Sequence, residues 1–153
     1  MTRLCFDVLK RLEGKTLATA ESCTGGGIGA ALTAVPGSSA VYKGGIISYT
    51  NQIKQNLLGV DPDLLTNRGA VSAPVAEAMA RGARKALTAD IAVSVTGLAG
   101  PGGDEFGNPV GRVYIGYADD NGIIHREFTF SGDRDAVRRQ AAEEALKLIL
   151  ERN

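Results

Sequence analysis

The run Ile91-Ala92-Val93-Ser94-Val95 is apolar at every position but one and shows no alternation. A strand with one wet face would alternate apolar and polar residues, so this run predicts a strand covered on both faces. Leu17 to Ala20 reads the same way. Helices must supply the two covers. The chain has 20 glycines and no tryptophan, a composition that suits helices lying close on a sheet and a site shaped by backbone. Its 153 residues fit one domain, 1–153, with a core of its own.

Leu4, Val8 and Leu12 recur four apart with Cys5 and Leu9 beside them, so residues 2–13 read as an amphipathic helix that Gly14 stops. Ile28 to Val35 is a second helix, ended by Pro36-Gly37. Gly45 to Tyr49 reads as a strand and Asn51 to Leu58 as a short helix before Gly59. The turn residues of Asp61 to Gly69 predict an irregular surface segment. Ser72 is placed to cap a helix from about Pro74 to Leu87. Thr96 to Gly111 holds six glycines and two prolines and must be a loop. Arg112 to Ala118 and Ile124 to Phe130 flank Asp119-Asp120-Asn121-Gly122, a hairpin signal. A last helix runs from Asp133 to about Glu151. Together these predict a three-layer α/β/α sandwich with a mixed, mostly parallel sheet containing one β-hairpin.

Lys+Arg and Asp+Glu are equal at 17 each. That balance argues against a nucleic-acid binder and against a polybasic membrane protein. Two cysteines, Cys5 and Cys23, make no disulfide framework, and one histidine leaves few soft ligands for zinc. No metal is expected. Charges interrupt the N-terminal stretch every few residues, and nothing approaches a membrane span, so a cytoplasmic protein is expected.

Chemistry concentrates in three stretches. In Glu21-Ser22-Cys23-Thr24-Gly25-Gly26-Gly27 a strand runs into a turn and a glycine-rich helix start. Ser22 then sits at the carboxyl end of a strand, where open α/β sheets bind ligands, and free amides of the next helix can hold an anion. A plain helix cap is the alternative reading of Ser22, and an inert buried thiol that of Cys23. A serine nucleophile needs a base. His125 lies in the hairpin, with nothing tying it to this turn. Lys10 and Lys147 fall on solvated helix faces, Lys15 just follows the first helix, and Lys43 precedes a strand. Lys54 follows the second strand on the same rim as Ser22, with Tyr49 between them, although an ordinary exposed helix lysine also fits the spacing. The second stretch, Thr96-Gly97-Leu98-Ala99-Gly100-Pro101, follows a buried strand and should border the same site or form a plain flexible loop. The third places Arg134 and Arg138 four apart at a helix start, able to clamp a phosphate or carboxylate or to pair with nearby acids.

Taken together, these motifs resemble the CinA C-terminal domain family, which includes stand-alone nicotinamide mononucleotide amidases (PncC type). The resemblance covers nearly the whole chain. It rests on Glu21-Ser22-Cys23-Thr24-Gly25-Gly26, Pro36-Gly37-Ser38-Ser39, Gly44-Gly45 with Tyr49 and Lys54, and Leu58-Gly59-Val60. It continues through Gly69-Ala70-Val71-Ser72, Thr96 to Pro101, Pro109-Val110-Gly111, and Gly132-Asp133-Arg134 with Arg138. The resemblance implies hydrolysis of the nicotinamide mononucleotide carboxamide to the acid and ammonia, without cofactor or metal. It implies Ser22 as nucleophile, Lys54 as general base and Tyr49 as a proton relay or positioning partner. Amides of the Thr24-Gly25-Gly26 turn are expected to form an oxyanion hole. Thr96, Gly97, Ala99 and Gly100, with Arg138, are expected to hold substrate, Arg138 at its phosphate. Homo-oligomers are expected, and neither nucleic acid nor membrane as partner. Two departures stand out: Asn108 where a lysine often precedes Pro-Val-Gly, and the helix opening Val71-Ser72-Ala73-Pro74 where an acidic residue is more usual. The larger members also carry a nucleotide pyrophosphatase domain, which this chain is expected to lack, so that activity is not carried over. A nucleotide-binding or interaction module with little catalysis is the competing expectation.

Overall fold

The computed structural model describes residues 1–153. Five strands form one sheet: β1 (Leu17–Glu21), β2 (Tyr42–Ile47), β3 (Ile91–Gly97), β4 (Arg112–Asp119) and β5 (Gly122–Thr129). Their order is β2-β1-β3-β4-β5. β1 pairs in parallel with both β2 and β3, whereas β4 is antiparallel to β3 and to β5. Four strands therefore run one way and β4 alone opposes them. β1 is buried at every position, whereas the outer strand β2 alternates between half-buried and exposed residues. Burial on both faces explains why the inner runs lack alternation.

Helices α1 (Thr2–Arg11), α2 (Gly27–Thr33) and the last helix, α6 (Arg134–Arg152), cover one face. Their core includes Leu12, Ile28, Leu32, Val93, Ile115, Leu146 and Ile149. Helices α3 (Asn51–Leu58), α4 (Pro62–Arg68) and α5 (Ala73–Ala86) cover the other. There the core is smaller and built on Ala18, Ala20, Ala92, Leu58, Val75 and Met79. Small side chains let these helices approach closely. A Cβ on Gly82 of α5 would lie 1.9 Å from the Leu58 carbonyl oxygen that ends α3. One on Gly116 of β4 would lie 2.3 Å from the Ala76 carbonyl.

Helix α4 corrects the irregular segment expected over Asp61 to Gly69. Asp61 caps it by accepting from the Asp63 amide at 2.8 Å, Pro62 takes the first helical position, and Leu65 is buried. Those are helix-start signals that a count of turn residues obscures. Ser72 does precede α5, but its hydroxyl turns back to the Gly69 carbonyl and caps nothing. β2 starts three residues before the expected Gly45 and ends at Ile47, which leaves Tyr49 in the connection to α3.

The chain leaves β1 for α2 on one face and leaves β2 for α3 on the other. Neighbouring strands whose connections part in this way open a crevice at their carboxyl ends. No helix is long and apolar enough to cross a membrane.

Candidate active site

Ser22 continues β1 by one residue, its amide donating to the Val95 carbonyl at 3.0 Å. The chain then turns sharply. Gly25 donates to the Ser22 carbonyl at 3.0 Å and Gly27 to that of Thr24 at 2.9 Å. Gly25 and Gly26 take φ values of 59° and 98°, which favour glycine over any other residue. The group that caps α2 is not Ser22. It is Glu21, buried, whose carboxylate accepts from the amides of Ile28 at 2.9 Å and Gly29 at 3.1 Å. A carboxylate suits the positive end of a helix. Glu21 thus takes the structural task and leaves the Ser22 hydroxyl free. The sequence reading passed over it; its signal was an acidic residue at the end of a strand just before a glycine-rich helix start.

Helix α3 begins where Thr50 accepts from the Ile53 amide. One turn on, Lys54 points inward and is 1% exposed, so the exposed-lysine alternative is overturned. Its Nζ donates to the Ser48 carbonyl at 2.7 Å, the Tyr49 carbonyl at 3.4 Å and Ser22 Oγ at 3.0 Å. All three partners are neutral oxygens. With no carboxylate paired to it, burial lowers the lysine pKa from 10.5 to about 8. A neutral amine has two protons for the two carbonyls, and its lone pair then faces Ser22. Burial pushes the Cys23 thiol up to about 11, which keeps it protonated and a poor nucleophile.

These groups open into a cleft of about 350 Å³ lined also by Thr96, Leu98, Gly100 and Arg134. Gly97 at the end of β3 and Ala99 in the loop after it complete the wall.

 Thr96 donates its hydroxyl to the Ala70 carbonyl at 2.8 Å, which fixes the end of β3 against the start of α5. Gly100 has φ 98°, so its carbonyl can turn toward Arg134. Arg134 donates to that carbonyl at 2.5 Å and to the Tyr49 hydroxyl at 3.1 Å, and forms no ion pair with any carboxylate. The Tyr49 hydroxyl therefore meets Arg134 and neither member of the Ser22–Lys54 pair; it is the Tyr49 carbonyl that holds Lys54.

Arg138 does not line the cleft. It donates to the Cys23 carbonyl at 3.0 Å and the Thr24 carbonyl at 3.3 Å, bracing the turn from behind, with Asp135 3.9 Å away. The arginine that faces the cleft is Arg134. Of the turn amides expected to form an oxyanion hole, that of Gly25 is committed to Ser22, while those of Cys23 and Thr24 donate to no acceptor in the chain. Gly26 serves as the residue before α2.

His125, on the edge strand β5, pairs with Glu77 of α5 at 2.6 Å and does not line the cleft. Lys85, in the last turn of α5, lines a larger depression of about 590 Å³ with Arg81, Arg84, Asp119 and Asp120. That depression holds acids and bases but no serine, cysteine or histidine to act as a nucleophile or base. No three His, Cys, Asp or Glu side chains come together as a metal site.

Residues 2–152 match the CinA C-terminal domain. A CinA-like protein of Cyanothece sp. is 57% identical over 137 residues, which is 88% of this chain and 33% of that protein. A CinA-like protein of Geobacter sulfurreducens is 49% identical over 144 residues, 94% of this chain and 35% of that protein. The chain thus spans about a third of the length of these curated relatives. Among solved structures, a competence-damaged protein (CinA) superfamily protein from Escherichia coli is 34% identical with a TM-score of 0.97, over 99% of this chain and 90% of that one. The competence/damage inducible protein CihA from Agrobacterium tumefaciens is 40% identical with a TM-score of 0.94, over 98% and 93%. The chain belongs to the CinA C-terminal domain family.

Proposed function

We propose that this chain is an amidohydrolase that converts nicotinamide mononucleotide to nicotinic acid mononucleotide and ammonia by a Ser/Lys mechanism. The observation that carries the reading is the 3.0 Å approach of buried Lys54 Nζ to Ser22 Oγ with no carboxylate paired to the lysine. Neutral Lys54 takes the hydroxyl proton as Ser22 Oγ attacks the carboxamide carbon. The resulting oxyanion is met by the unspent amides of Cys23 and Thr24. Lys54 then gives that proton to the leaving nitrogen, the C–N bond breaks, and ammonia departs, leaving an ester on Ser22. Water attacks the ester, Lys54 removes a proton from it, and returning that proton to Ser22 Oγ releases the carboxylic acid. Arg134, uncompensated at the mouth, is suited to the substrate phosphate. Arg138 holds the turn in shape and does not touch substrate.

Ammonia release from purified protein and nicotinamide mononucleotide tests the reading. Loss of turnover in Ser22→Ala and in Lys54→Ala is expected. Tight binding of the mononucleotide without ammonia release by the unaltered protein would replace this reading with that of a binding module.

A further inference from the structure

Two buried hydroxyls have no hydrogen-bond partner in the protein, those of Thr24 and Ser48. Thr24 belongs to the turn already assigned to substrate. Ser48 does not, and it is 0% exposed. Its backbone is fully used. The amide extends the β1–β2 ladder to the Glu21 carbonyl at 2.8 Å, and the carbonyl accepts from Lys54 at 2.7 Å. Ile46 packs into the layer formed by α3 and α5. Ser48, two residues on along an extended chain, faces that same layer, from which Lys54 reaches the site. An unpaired buried hydroxyl is a standing cost that alanine would remove. A serine kept there needs a partner at some stage of the cycle.

The proton count of Lys54 identifies that stage. While Ser22 is free, the ammonium has three acceptors: two carbonyls and Ser22 Oγ. Once Ser22 is acylated, Lys54 has passed its third proton to the leaving nitrogen and Oγ is an ester oxygen, so the neutral amine must turn its lone pair from Oγ to the incoming water. Its long 3.4 Å contact to the Tyr49 carbonyl is the hydrogen bond open to exchange. The Ser48 hydroxyl can change position by rotating between staggered rotamers about its Cα–Cβ bond.

We propose that Ser48 is a positioning residue for Lys54: its hydroxyl rotates to accept from the Lys54 amine while Ser22 carries the acyl group, keeping the base aimed for the attack of water. The inference rests on the Ser/Lys reading above. Ser48 acts only through Lys54 and touches no atom of the substrate, and no covalent bond to it forms or breaks. The titratable group beside Lys54 is the Cys23 thiol. Glu21, the carboxylate two residues before Cys23, is spent on the amides of α2.

The test traps Ser22 with a serine-directed phosphonate and follows the Lys54 amine by NMR in lysine-labelled protein. In the trapped state, Ser48→Ala should titrate about one pH unit below the unaltered protein, because an acceptor of the ammonium is gone. Ser48→Thr, which keeps the hydroxyl, should restore the higher value. Before trapping, the titrations of unaltered protein and Ser48→Ala should nearly coincide. In turnover of nicotinamide mononucleotide, Ser48→Ala should lose about tenfold in kcat with little change in kcat/KM, since ammonia leaves before deacylation. Superposable titrations in all trapped proteins, with only thermal stability altered, overturn the role of Ser48 while leaving the nucleophile intact. A phosphonate that fails to modify Ser22 overturns the nucleophile reading, and the Ser48 proposal falls with it.

Discussion

The Arg134 guanidinium donates to the Tyr49 hydroxyl at 3.1 Å, joining the start of α6 to the connection between β2 and α3 across the mouth of the cleft. Both of its partners are neutral, so its charge is available to an entering anion. Arg134→Ala should raise KM for nicotinamide mononucleotide at least tenfold. It should change turnover of nicotinamide riboside, which lacks the phosphate, by less than threefold. Steady-state kinetics on the two substrates check this.

Arg138 predicts the opposite pattern. Its bonds to the Cys23 and Thr24 carbonyls shape the turn that carries Ser22, the proposed nucleophile. Arg138→Ala should lower kcat for both substrates alike and lower the melting temperature, with KM little altered.

The pH profile should report Lys54. The proposed base acts only when neutral, and burial brings its pKa to about 8. Below that value kcat/KM should fall about tenfold per pH unit. Lys54→Arg, which cannot lose its proton, should be inactive at every pH.

The same lysine ties stability to pH. Its folded pKa of about 8 lies below the ordinary 10.5, so between these values the unfolded chain binds more protons than the folded one. Stability therefore rises with pH across that window, and the cost of a buried ammonium is fully present below pH 8. The unaltered protein should gain roughly 3 kcal/mol relative to Lys54→Met between pH 7 and pH 10.5. Urea unfolding of both proteins at the two pH values measures it.

Gly82→Ala should be among the most damaging single methyl additions. The new Cβ would meet the Leu58 backbone at 1.9 Å, where no side chain can yield. A loss of about 1–3 kcal/mol is expected from overpacking. Because α3 carries Lys54, activity should fall at temperatures where the variant is still folded.

The sequence made the layered fold legible because the inner strands are apolar at consecutive positions and each is punctuated by glycine. It also placed Ser22, Tyr49, Lys54 and the loop after β3 on one rim, since all follow strands that run the same way. Other features depend on distances that spacing does not encode. Whether Lys54 is buried turns on how closely α3 and α5 approach, which Gly82 allows. Arg134 and Arg138 share a helix face and differ by one turn, and only the position of the Ser22 turn decides which of them reaches the cleft. Glu21 reads as one more strand residue until the amides of α2 are seen to converge on it. Helix α4 was hidden because Asp and Pro serve both turns and helix starts.

The hairpin between β4 and β5 separates two ends of the molecule. The register that sets Ala92 opposite Ala118 brings the tip, Asp119 to Gly122, beside the beginnings of β1 and β3. The proposed active site lies at the opposite ends of those strands, and the five residues of β1 alone span about 16 Å. A short epitope or dye-bearing peptide spliced in at Asn121 would therefore label the protein for surface attachment while leaving its reaction undisturbed.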